Sequence, residues 1–189
     1  ASTVSSDAHI EVLQLQDAAR EAGADSVVTV LPYMGYARQD QAFEPGQAIS
    51  ARAVARAIST GTDRVITVNP HEERVCSFFD VPTVAVDAAP RLAEPLPGDL
   101  SDPLFLSPDE GAIDIAESAR SAYGAGEVDY FVKSRHSGDE VEVEPSGATV
   151  ADRDVVLVDD IVATGSTMAA SIDVLADRGA GRTLVACVH

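Results

Sequence analysis

Seven short runs rich in β-branched residues punctuate the chain: residues 26–34 (SVVTVLPYM), 64–70 (RVITVNP), 83–88 (TVAVDA), 103–109 (PLFLSPD), 128–134 (VDYFVKS), 154–160 (DVVLVDD) and 182–189 (RTLVACVH). Each is continuously apolar rather than alternating, the pattern of strands covered on both faces. Helical spacing lies between several of them. Residues 7–22 place Val12, Leu15, Ala19 and Ala22 on one stripe, with Asp7 as N-cap and Gly23 as stop. Residues 48–59 align Ile49, Ala53 and Ala57, and residues 110–123 form a third helix. Residues 166–178 align Met168, Ile172 and Leu175, with Gly179 after them. This alternation predicts an α/β fold with mainly parallel sheets. The proline-bearing stretch 87–103 reads as a connection, so two similar lobes are expected, residues 1–90 and 91–189. The first lobe opens without Met in what reads as the end of a strand, and the second stops at a strand end. Both are expected to be truncated parts of a longer protein.

Composition narrows the class. Apolar residues make up 46% of the 189, enough for a core, and no run suffices to span a bilayer. The first residues have neither a basic segment nor an apolar stretch, so they do not read as a signal peptide. Two cysteines, Cys76 and Cys187, are too few for a disulfide framework, and a reducing cytoplasm is the expected compartment. The charge is lopsided: 13 basic residues against 31 acidic, net −18. Such a surface repels nucleic acid. Spread through an apolar-rich chain, the acids read as the solvated surface of a protein working in high salt, where screening makes self-repulsion small. Within this surface Lys133 is the only lysine, all other cationic side chains of the lysine–arginine type being arginine.

The densest chemistry sits in VVLVDDIVATGSTMAAS. A buried strand ends in Asp159 and Asp160, and a short turn from Ala163 to Thr167 opens a helix. Backbone N–H groups at Thr164, Gly165, Ser166 and Thr167, with three hydroxyls among them, form an anion nest at a helix N-terminus. Two carboxylates repel phosphate but suit sugar hydroxyls or a cation. A phosphate on one side and a diol on the other describe a phosphorylated pentose. Any one of these elements alone would be an ordinary helix cap with surface acids.

DDIVATGST resembles the signature shared by type I phosphoribosyltransferases and ribose-phosphate diphosphokinases, the PRPP synthases. The first half chooses between them: LPYMGYARQDQAFEPGQAISARAVA is similar to the ATP-binding segment of the PRPP synthases, and VNPHEERVCSFFDVP and LFLSPDEGA resemble that family's next segments in order. The resemblance covers essentially the whole chain. It implies a type I phosphoribosyltransferase-like fold and transfer of the diphosphoryl group of ATP to ribose 5-phosphate. It also implies Mg²⁺, homo-oligomeric assembly, and neither a nucleic-acid nor a membrane partner. By its motifs Arg38, Gln39, Asp40 and His71 would bind ATP, making residues 1–90 the ATP side. Asp109, Asp159, Asp160, Ala163, Thr164, Gly165, Ser166 and Thr167 would bind ribose 5-phosphate, making residues 91–189 the sugar side. His71 and Asp109 would contact the metal.

Lys133 and Arg135 fall at the family's catalytic loop, two residues apart and so on one face if that loop is extended. A lysine offers a compact point charge, and arginine a planar fork, which gives a reason for one lysine to persist there. Residues 134–146 are polar and acidic and are expected to form a mobile lid. His9, His136 and His189 receive no catalytic role. Two departures stand out: Ala163 where many relatives carry a polar residue, and Ser166 in place of a common second glycine. Upstream residues that help hold adenine in the family have no counterpart. Two other functions compete. A phosphoribosyltransferase would lack the segment around residues 33–58, and a non-catalytic PRPP synthase-associated subunit would have lost the loop cations or acids.

Overall fold

The computed structural model describes the backbone of residues 2–135 and 141–189 and the side chains of residues 2–132 and 145–189. The chain divides into two compact units, Ala1–Asp87 and Ala88–His189.

The first unit is a three-stranded parallel sheet, β1 (Val28–Leu31), β2 (Arg64–Val68) and β3 (Thr83–Val86), in the order β1-β2-β3. Helix α1 (Ser6–Glu21) precedes β1, and α2 (Ser50–Ser59) connects β1 to β2. Both helices, with the short 3-10 helix Glu73–Phe78, lie against the sheet face that presents Thr29, Leu31, Val65 and Thr67. Leu31, Met34, Ala51, Ala55, Ile58, Val65, Val75 and Phe79 make the core there. The other face differs from expectation. Val28, Val30, Val84 and Val86 are each 43–50% exposed, so among the described residues β1 is covered on one side only and β3, whose Ala85 is also exposed, is covered little on either. The phase of two helices also differs. α1 buries His9, Val12 and Gln16 and leaves Leu15 64% exposed. Its N-cap is Ser5, whose hydroxyl accepts from Ala8 N–H at 3.2 Å, rather than Asp7. α2 buries Ala51, Ala55 and Ile58, not the row Ile49–Ala53–Ala57. Arg52 and Arg56, one turn apart, need water and turn that row outward.

The second unit is a five-stranded sheet. Its strands are β4 (Leu104–Ser107), β5 (Glu127–Arg135), β6 (Val141–Pro145), β7 (Val155–Asp159) and β8 (Thr183–Cys187), in the order β6-β5-β4-β7-β8. Every pairing is parallel except β5 with β6. Here the continuous apolar runs of β4 and β7 do mean two covered faces, whereas β8 at the sheet edge leaves Val185 exposed. Leu104, Leu106, Val155 and Leu157 point toward α4 (Ser166–Asp177) and its Met168 and Leu175. Phe105, Val156 and Val158 point toward α3 (Ile113–Tyr123) and its Ala116 and Ala119. In α4 the third buried position is Ser171, and Ile172 is exposed.

The stretch 134–146 is not simply a loop. Ser134 and Arg135 complete β5, and Val141–Pro145 form β6. The period-two alternation Val141-Glu142-Val143-Glu144 carries that strand, and its acids disguise it. Residues 136–140, with His136, lie outside the described residues.

Two ionic networks tie the amino ends of the strands. Buried Arg153 donates to Glu127 at 2.7 Å and to the Asp102 carbonyl at 3.0 Å. Buried Asp154 joins Ser101 N–H and Arg182. The carboxyl ends are thereby left for other use.

Candidate functional site

In the second unit the chain runs from β4 to β5 on one side and returns to β7 on the other. The β4/β7 boundary is therefore a topological switch point, where parallel sheets open a crevice at their carboxyl ends. Asp109 follows β4, Asp159 ends β7 and Asp160 follows it. Asp159 is half-buried. Burial, the Asp160 side chain and the charge of Asp109 raise its carboxyl pKa to about 7. The three acids are thus close enough to feel one another, with a surplus of negative charge that a cation or sugar hydroxyls would relieve. Asp109 also caps its own turn, accepting from Gly111 N–H at 3.0 Å, so the structural and functional readings of this residue coexist.

The turn after Asp160 is shaped by glycine. Gly165 sits at φ 79° and ψ −5°, the left-handed region, and is the N-cap of α4 with no side-chain cap. Thr164 Oγ1 and Ser166 Oγ lie 3.0 Å apart. Among the described residues, no acceptor is found for the N–H groups of Thr164, Gly165 and Thr167, whereas Ser166 N–H has only a long 3.5 Å contact to Thr164 Oγ1. An uncapped helix N-terminus with exposed hydroxyls is an anion-binding arrangement. Ala163 is exposed at its edge.

In the first unit, Arg38, Gln39 and Asp40 follow β1 in a turn closed by Gln39 N–H donating to the Tyr36 carbonyl at 3.0 Å. Arg38 is exposed. The Gln39 carbonyl accepts from Ala51 N–H at 3.1 Å, fastening the turn to the start of α2. Asp40 is buried and paired with Arg74, which follows His71 by three residues. The structure so joins the Arg38–Asp40 turn to the segment carrying His71. Sequence reasoning missed Arg74, whose only signal was its place after the histidine. His71 itself is exposed beyond the carboxyl end of β2. Lys133 and Arg135 lie on β5, in register with Val143 and Val141, and their side chains lie outside the described residues. Among the described residues no group of three or more metal-type donors gathers, and no helix is long and apolar enough to cross a membrane.

A model of the N-terminal domain of ribose phosphate pyrophosphokinase matches residues 1–61, and one of the phosphoribosyl transferase domain matches residues 85–189. The chain belongs to the ribose-phosphate pyrophosphokinase family. A family member from Halobacterium salinarum is 68% identical over all 189 residues, which span 66% of that relative. One from Methanopyrus kandleri is 48% identical over 177 residues, 92% of this chain and 60% of the relative. The crystal structure of phosphoribosylpyrophosphate synthetase from Mycobacterium smegmatis matches with a TM-score of 0.79 at 29% identity, covering 94% of this chain and 58% of that one. The chain therefore spans about two thirds or less of the length of these pyrophosphokinases.

The raised Asp159 pKa has a measurable consequence. Between about pH 4 and 7 the folded protein holds a proton on Asp159 that the unfolded chain has released, so this group's contribution to stability falls as pH rises through that range. Asp159→Asn is expected to remove that slope, and its melting temperature relative to wild type should be higher at pH 8 than at pH 5. Thermal melts of both proteins at the two pH values test this, and an unchanged difference would refute the assigned burial and repulsion.

Proposed function

We propose that this chain carries the substrate-binding parts of a ribose-phosphate diphosphokinase. The C1 hydroxyl oxygen of ribose 5-phosphate attacks the β-phosphorus of ATP, the bond from that phosphorus to the α,β-bridging oxygen breaks, and AMP leaves with PRPP as the other product. The observation that carries this reading is the switch-point constellation of the second unit, with acids at the ends of β4 and β7 and an uncapped α4 N-terminus beside them. The N–H groups and hydroxyls of Thr164–Thr167 hold the 5-phosphate, and Asp159 and Asp160 accept from the ribose hydroxyls. Arg38, Gln39 and His71 of the first unit hold ATP, with Asp40 and Arg74 bracing the two segments that carry them.

Mg²⁺ fits these residues. Clustered carboxylates with surplus charge suit a hard cation. Mg²⁺ keeps several waters and takes phosphate oxygens readily, so Asp109 and His71 would be the protein's few contacts. When bound, it would neutralise the phosphate oxygens. Lys133 and Arg135 supply charge to the transferring group. The acidic composition and the likeness to a Halobacterium relative support work in high salt, and the family resemblance extends the proposal to a cytoplasmic enzyme that acts on small molecules as a homo-oligomer.

The test is AMP release by the full-length protein in high salt, with Mg-ATP, with and without ribose 5-phosphate. AMP formed only when both are present supports the reading. Consumption of PRPP with a nucleobase instead would favour a phosphoribosyltransferase, and no turnover with retained binding would favour a regulatory subunit.

A further inference from the structure

The residue before the Arg38–Asp40 turn region that stands out is Tyr36. It is a non-glycine residue held at φ 63°, and it is 49% exposed. Such a conformation persists only where its surroundings impose it. Two contacts from α1 do so. The ring packs on that of His9, centroids 5.4 Å apart and planes tilted by 38°, and the phenol oxygen lies 2.7 Å from Ser6 Oγ. The preceding residue is equally constrained. A Cβ on Gly35 would stand 2.1 Å from the Thr3 carbonyl oxygen and 2.9 Å from His9 Nε2, so the backbone is pressed against both. Gly35 N–H donates to Thr3 Oγ1 at 3.0 Å.

His9 is an unusual choice for this place. It is buried, and among the described residues neither ring nitrogen has a hydrogen-bond partner. Burial lowers its pKa, leaving the ring neutral near pH 7. Buried polar atoms without partners are disfavoured, and a leucine would satisfy packing alone. Leucine, however, offers no flat face to a tyrosine ring.

We propose that His9 is a positioning residue for nucleotide binding: its ring, with Ser6, holds Tyr36 in the left-handed conformation that aims the following Arg38–Asp40 turn. The downstream side of the turn is fixed by the Gln39 carbonyl on α2 and by Asp40 on Arg74, and the upstream side by Gly35 on Thr3 together with the His9–Tyr36 contact. This inference rests on the proposed ATP role of that turn.

His9→Leu keeps the volume and removes both the ring face and the unpartnered nitrogens, so the fold should persist with a melting temperature at or above wild type. Two readouts then apply in the full-length protein. Amide hydrogen exchange without ligand should be faster in the peptide spanning residues 33–41, and unchanged in peptides of the second unit. The Kd for Mg-ATP should rise about tenfold, as misaligned binding groups lose affinity, while KM for ribose 5-phosphate stays at the wild-type value. Tyr36→Phe, which retains the ring, should lie between. Wild-type exchange at 33–41 in His9→Leu would overturn the positioning role, and so would equal weakening of both substrates. Faster exchange with unchanged Mg-ATP affinity would overturn the link to nucleotide binding. Failure of the wild-type protein to bind Mg-ATP would instead overturn the reading of the turn, and this inference with it.

Discussion

Lys133→Ala in the full-length protein is expected to lower kcat about a hundredfold while both KM values stay close to wild type. A charged contact to oxygen that gains negative charge only in the transition state is worth roughly 3 kcal/mol, and its loss appears in kcat rather than in ground-state binding. The chain carries 31 acidic residues, so a phosphoryl-transfer centre in it depends on few cations. Lys133 stands on β5 in register with Val143, two residues before Arg135. Lys133→Arg separates two explanations. If lysine survives here because a compact ammonium is needed, arginine should recover only part of the loss. If the residue is ordinary surface charge, arginine should serve as well as it does at the other basic positions. Initial rates of AMP release at matched high salt decide this, with melting temperature as the control for folding. Wild-type kcat in Lys133→Arg would remove the lysine-specific role.

What the sequence showed about this arrangement, and what it hid, follows from the signals involved. The parallel strands were legible because buried strands are written as unbroken β-branched runs, and DVVLVDD is the clearest of them. The DDIVATGST turn was legible because glycine and small hydroxyl residues carry its geometry directly. The faces of the helices were harder to read. In α2 alanine occupies most positions, so only the two arginines fix its phase. In α1 the buried row contains His9 and Gln16, which no apolar pattern reveals; Gln16 is there because its Nε2 donates to Thr29 Oγ1 at 2.7 Å and to the Ile58 carbonyl at 3.1 Å. β6 was hidden by its acids. The partnership of Asp40 with Arg74 joins residues far apart in sequence, and only the fold brings them together. The strand order, which makes the β4/β7 boundary a switch point, is likewise a property of the topology alone.

The same topology separates residues that serve the site from residues that serve stability, and Asp154 tests the separation. It lies at the amino end of β7, opposite the end that carries Asp159. Its buried carboxylate accepts from Ser101 N–H at 2.7 Å, from Arg182 N–H at 2.8 Å and from Arg182 Nε and Nη2 at 3.0 and 2.7 Å. The Arg182 side chain, chiefly, and the Ser101 N–H hold its pKa well below the usual carboxylate range. Asp154→Ala strands two backbone donors at once and leaves the Arg182 guanidinium only Asp99 and water. Breaking a buried pair on one side costs about 3–5 kcal/mol, and the half-exposed guanidinium, which water can reach, places the expectation toward the lower figure. Because the folded-state pKa is depressed, the contribution is fully present above the unfolded pKa of about 4 and is lost as pH falls below it. The difference in stability between wild type and Asp154→Ala should therefore be constant from pH 5 to 8 and shrink toward pH 2. Denaturant titrations across this range measure it, and high salt should reduce it less than it reduces an exposed pair such as Arg91–Glu94. At temperatures where the variant is folded, its kcat should match wild type, since no atom of Asp154 belongs to the carboxyl-end crevice. A stable variant that lost activity would reverse the assignment of the two ends.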